Sequence, residues 1–125
     1  MSKRTIRPIS CIVPQDSIIV MQGDMNKVGQ KTLFMMTRFL ILRDNALFVY
    51  YNREEKMPYL IVPLRGLFVN PIKLDSRDGV YGFSLEHTKK NVKTRRFYSS
   101  NHELVTEWVR VIRQQAHNVS FDSIY

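Results

Sequence analysis

The stretch from Ser100 to Ala116, SNHELVTEWVRVIRQQA, constrains the fold more than any other. Leu104, Trp108, Val111, Ile112 and Gln115 recur at helical spacing and form one stripe of an amphipathic helix. Ser100 with Glu103 three residues on makes a capping box, and Asn101 is an alternative N-cap. Arg110 and Arg113 fall in the second half, where the helix dipole favours cations. Everything before this stretch alternates in the manner of strands. A lone terminal helix carrying the only Trp has to bury its stripe against a sheet.

At 125 residues the chain is expected to form one domain with a modest core. One cysteine, Cys11, excludes an intramolecular disulfide and a cysteine metal cluster. No apolar run approaches the length of a membrane-spanning helix, and no signal-peptide pattern opens the chain. A reducing setting, the cytosol or the nucleus, is expected, with the cytoplasm favoured. The charge is the strongest compositional signal. Nineteen Lys and Arg against eleven Asp and Glu leave +8, which points to an anionic partner.

Met1 to Gln15, with Lys3, Arg4, Arg7 and two prolines, reads as an extended arm. Asp16 to Asn26 reads as a strand interrupted by Gly23, a site for a bulge or bend. Thr32 to Leu42 and Ala46 to Tyr51 make a hairpin across Asp44-Asn45. A charged loop, NREEKMP, leads into Tyr59 to Leu64, where Pro63 marks an edge or bulged strand. Leu67 to Asn70, Tyr81 to Glu86 and Val92 to Ser99 complete seven short strands. The expectation is a mainly β fold, a seven-stranded antiparallel barrel or sandwich whose open end is plugged by one C-terminal helix. The domain is expected over 16–116, with a tail at 117–125.

The order of these elements resembles the pleckstrin homology (PH) domain family. Gly23-Asp-Met-Asn-Lys27 is similar to the family's first strand, Thr37 to Leu42 to its second, and Asp44 to Phe48 with Tyr50-Tyr51 to its third. Val62-Pro63-Leu64 is similar to the fourth strand and Tyr81 to Leu85 to the sixth. Glu107-Trp108-Val109 with Ile112 is similar to the closing helix. The resemblance spans Ile18 to Ala116. It implies a phosphate pocket at the end of the barrel away from the helix, built from a late Lys in the first strand and a Lys/Arg-x-Arg at the start of the second. Lys27 and Arg38 fill the outer places, but Met36 stands where the middle cation belongs. A bisphosphate needs several charge-assisted hydrogen bonds at once, so the departure argues against a tight inositol bisphosphate pocket. Arg38 shares its parity with Met36 and Leu40 and points to the core or the pocket mouth. A lone Arg there needs an anion or a carboxylate.

Other cations are expected to gather on the same rim: Lys31 in the first turn, Lys56 after the third strand, Lys89, Lys90 and Lys93 between the sixth and seventh, and Arg95 and Arg96 just after. Each is worth about 1 kcal/mol near an anionic membrane. Val28, Leu33 and Phe34 are candidates to dip into the lipid interface.

The expected function is therefore a non-enzymatic module peripheral to a membrane, binding anionic phospholipid and needing no cofactor. Phosphatidic acid fits a site left with room for one phosphate. The alternatives are a phosphoinositide-binding module, or a protein-interaction module using the helix and tail. Nucleic-acid binding lacks the usual basic groove with stacking aromatics. His87, His102 and His117 are scattered, and no nucleophile or metal signature accompanies them. A small domain with a weakened phosphoinositide motif and a basic rim also resembles the acylated PH-domain proteins of apicomplexan parasites. That resemblance implies phosphatidic acid recognition on the cytosolic face of secretory organelles (micronemes) and a role in exocytosis. The acylated N-terminus of those proteins has no counterpart in Met1-Ser2.

Overall fold

The computed structural model describes residues 18–28, 35–72 and 79–122. The expected arm, Cys11, Lys31, Leu33 and Phe34 lie outside the described residues. Seven strands run β1 (Ile19–Val28), β2 (Met35–Arg43), β3 (Ala46–Tyr50), β4 (Leu60–Pro63), β5 (Leu67–Ile72), β6 (Tyr81–His87) and β7 (Arg95–Ser99). Helix α1 (His102–Asp122) follows. The strands form one antiparallel sheet in the order β4-β3-β2-β1-β7-β6-β5. This is the expected mainly β architecture.

Local chemistry explains most boundaries. Asp44-Asn45 turns β2 into β3, with Leu42 opposite Leu47 and Phe39 opposite Tyr50. Pro63 and Pro71 fall on β4 and β5, the two ends of the strand order, where a missing N–H is tolerated. The irregularity of β1 lies between Ile19 and Met21 rather than at Gly23, which pairs regularly with Leu40. Gly23 instead faces the helix, where an added Cβ would meet Trp108 Cζ2 at 4.0 Å, an ordinary contact. β7 begins at Arg95, not Val92, because Val92 N–H donates to the Lys89 carbonyl and closes a turn.

The core gathers Met25, Leu40, Leu42, Leu47, Val49, Phe83, Leu85 and Phe97 under Val105, Trp108, Val109, Ile112 and Ala116 of the helix. The helical stripe is thus centred one residue away from the expected one. Leu104, Val111 and Gln115 flank it, half-buried. Asn101, the second of the two cap candidates, is the residue that caps, its Oδ1 accepting the Leu104 N–H at 3.1 Å. The helix continues to Asp122, so six of the nine residues read as a tail are helical. Val119 packs against the core and extends the stripe past Ala116. Two side chains tie the helix to the sheet. Arg113 Nε donates to the Val69 carbonyl at 2.9 Å, and Gln115 Nε2 donates to the Asp44 carbonyl at 3.0 Å. Phe39, Ala46, Phe48 and Tyr50 make a second apolar cluster, so every residue of β3 is buried.

Candidate functional site

The ends of β1, β3 and β6 meet the starts of β2, β4 and β7 at the barrel mouth. Antiparallel pairing dictates this: Val28 lies opposite Met35, Val49 opposite Leu60, and Asn26 of β1 opposite Tyr98 of β7. Within the mouth is a cavity of about 200 Å³, lined by Lys27, Val28, Tyr59, Leu60 and the run 93–98. Lys93 and Arg95 enter it beside Lys27, and none of the described residues lining it is acidic. A second cavity of about 120 Å³ lies beyond Leu60 and shares Lys93 and Arg95.

The electrostatics follow from that crowding. Burial pushes the Lys27 ammonium below its ordinary value, and the charges of Arg38, Arg95 and Lys93 push it further the same way. Asp24, three residues before Lys27 on β1, is engaged in an ion pair with Arg53 at 3.2 Å. Lys27 and Arg95, half-buried, and the exposed Lys93 therefore lack a counter-charge among the described residues of the cavity wall, which is the arrangement an anion would relieve.

Arg38 points inward, as its parity implied, but it does not line this cavity. Its Nη1 donates to the Thr37 carbonyl at 3.0 Å, and its Nη2 lies 3.7 Å from the sulfur of Met36. The guanidinium carbon sits 5.0 Å from the Tyr51 ring centre and 5.8 Å from that of Tyr59. These two rings stack on each other, and Lys27 Nζ lies 6.0 Å from Tyr59 on the cavity side. Arg38 is thus held behind an aromatic wall, with its buried Nε left without a hydrogen-bond partner. Asn52 shapes the connection that carries Tyr51, its Oδ1 accepting the N–H groups of Glu54 and Glu55.

The remaining candidates stand further out. Lys56 is exposed in the connection between β3 and β4, and Lys89 and Lys90 are exposed in the turn after β6. That turn is held by His87, whose Nδ1 accepts the Lys89 N–H at 3.2 Å. Val28 is exposed on the rim, and Tyr51 and Met57 expose apolar surface at the same end. Tyr59 and Tyr51 were missed as site residues by sequence reasoning, and Arg95 was read only as one more cation of the rim. The only signal for Arg95 was its place in the basic run after Lys89, and nothing in the sequence announces that Tyr51 and Tyr59 stack.

The fold and this mouth define a class: a small β module closed by a terminal helix, with a basic opening at the other end. Residues 19–117 match the PH domain family, and the chain belongs to it. Solved structures of this fold include the C-terminal PH domain of pleckstrin in complex with D-myo-Ins(1,2,3,4,5)P5, at 21% identity and a TM-score of 0.62 over 78% of this chain and 98% of that one. The Slm1 PH domain in complex with phosphoserine is 12% identical, with a TM-score of 0.67 over 79% of this chain and 96% of that one. The DH/PH fragment of PDZRHOGEF in complex with human RhoA is 11% identical, with a TM-score of 0.65 over 82% of this chain and 29% of that one. At these identities the likeness is one of fold. No curated protein matches the chain.

Proposed function

We propose that this chain is a non-enzymatic module peripheral to membranes, binding anionic phospholipid with phosphatidic acid as its preferred headgroup. The observation that carries the reading is the mouth cavity, in which Lys27, Lys93 and Arg95 converge without an acid among the described lining residues. At about 200 Å³ it is smaller than the roughly 300–1,000 Å³ of ordinary small-molecule pockets, a size suited to one phosphoryl group. A phosphomonoester at a bilayer surface carries between one and two negative charges near neutral pH and accepts several short hydrogen bonds from Lys and Arg. Phosphatidic acid offers that group with no sugar to exclude. Exposed Lys56, Lys89 and Lys90 add long-range attraction to an acidic surface. Val28, with Leu33 and Phe34, would enter the interface. Among the described residues no helix is long and apolar enough to cross a membrane, which fits binding from one side. The proposed location is the cytosolic face of a membrane, a secretory organelle before exocytosis in the narrower form of this reading.

The test is co-sedimentation with vesicles of matched surface charge. Phosphatidic acid should retain more protein than phosphatidylserine, and Lys27→Glu or Arg95→Glu should abolish the difference. Binding should also weaken as salt rises, because exposed charges are screened over about 8 Å at physiological ionic strength. Equal binding to the two lipids would overturn the headgroup preference.

A second reading has one observation behind it. The neighbouring cavity that shares Lys93 and Arg95 could take a further phosphate of an inositol ring. Tight, stereospecific binding of a soluble inositol polyphosphate in calorimetry would favour that reading.

A further inference from the structure

A further depression of the described surface lies away from the mouth. It is a groove of about 660 Å³ between helix α1 and the end of β5 with the start of β6. Its floor is apolar, made by Ile72, Tyr81, Val105 and Val109. Its helix side carries two cations, Arg110 and Arg113, one turn apart along the groove. His102 lies tilted against Tyr81 at one end, 4.6 Å between ring centres, and His117 closes the other. None of the described residues lining it is acidic. A second depression of about 290 Å³ shares Arg113 and His117 and leads to Phe68, a large apolar side chain that is 57% exposed on β5. Two joined hollows with an apolar floor and a basic wall match an elongated ligand better than a compact one.

We propose that this groove docks a linear segment of another protein, one presenting a large apolar side chain flanked by carboxylates. The apolar side chain would seat on the Val105 and Val109 floor, and the carboxylates would face Arg110 and Arg113. Arg113 is already oriented by its bonds to the Val69 carbonyl and Asn70, so its remaining donors would be presented with little further ordering. Arg110 shares its charge with Glu107, and a partner carboxylate would compete for it. The proposal does not depend on the membrane reading. Tyr81 and His87 are the two ends of β6, so the groove and the basic turn lie about 20 Å apart at roughly 3.3 Å per residue. One molecule could hold a membrane at its mouth and a partner along its helix at once.

The experiment is selection of a random twelve-residue peptide library on the immobilised full chain, followed by fluorescence anisotropy of the enriched peptides. Enriched peptides are expected to pair a large apolar residue with Asp or Glu. Their affinity should fall by about tenfold or more in Thr106→Trp, which fills the groove from an exposed position, and in Arg110→Glu, which reverses an exposed charge. Both variants should melt as the parent does, and Lys27→Glu should bind the peptides unchanged. Three outcomes would overturn the proposal: no enrichment, peptides whose binding ignores Thr106→Trp but is lost in Lys27→Glu, or acidic peptides that bind equally well when the apolar residue is replaced by Ser.

Discussion

The rings of Tyr51 and Tyr59 lie nearly parallel, 4.2 Å between centres and 15° between planes. Only Tyr59 lines the cavity; Tyr51 backs it and carries Arg38 on its face. The pair therefore divides two roles that a single ring would combine. Tyr59→Ala should remove the cavity wall and most of the vesicle binding. Tyr51→Ala should spare more of the binding and lower stability by about 1 kcal/mol, the usual worth of an aromatic pair. Co-sedimentation and thermal melting of the two variants would check the division. Equal loss of binding in both would show that the wall acts as one unit.

Trp108 is fully buried beneath the sheet and is the largest side chain of the core. Trp108→Ala should cost roughly 3–5 kcal/mol, the range for a buried aromatic. Chemical denaturation gives the number directly, and an unchanged midpoint would contradict the packing described.

Gly82 is held close to β7. An added Cβ would lie 2.6 Å from Tyr98 Cδ1 and 2.8 Å from the Phe97 carbonyl oxygen. The ring can turn aside, but the carbonyl belongs to a paired strand. Gly82→Ala should therefore destabilise by roughly 1–3 kcal/mol, as overpacking does. Gly23→Ala, where the nearest atom is Trp108 Cζ2 at 4.0 Å, should leave the melting temperature near that of the parent.

Lys27 gives a pH dependence whose sign can be worked out. Its folded-state value is lowered, first by burial and then by Arg38, Arg95 and Lys93. Between that lowered value and the ordinary lysine value, the unfolded chain holds more proton than the folded one. Stability contributed by this group therefore rises with pH through the window. A phosphate seated beside Lys27 opposes the shift and draws the proton back. Binding to phosphatidic acid vesicles in that alkaline window should take up protons, seen by calorimetry in buffers of different ionisation enthalpy. Lys27→Met should abolish the uptake.

Much of this was legible in the chain before folding. The seven strands and the helix follow from two periodicities, and the cap from Asn101 beside the first helical turn. What escaped has identifiable causes. Parity placed Arg38 inward, but whether its donors faced a ligand depended on Thr37, Met36 and the distant rings of Tyr51 and Tyr59. Arg95 looked like one more cation of the rim, because its approach to Lys27 is created by β7 pairing with β1. The second apolar cluster around Phe48 was missed because Phe39 and Tyr50 lie on the parity opposite Leu40 and Val49. The helix was ended at Ala116 although Val119 keeps the same spacing.

Pro63 and Pro71 also say something about crowds of this molecule. The two outermost strands of the sheet are the rungs on which a neighbouring copy could add its own strand and begin a fibre. At each of these edges one backbone donor is missing from the ladder. On β5, Arg113 has in addition taken the Val69 carbonyl. Copies of this module thus meet one another with edges ill-suited to templating. Replacing both prolines by Val should make concentrated solutions more prone to thioflavin-positive aggregation, without altering the mouth.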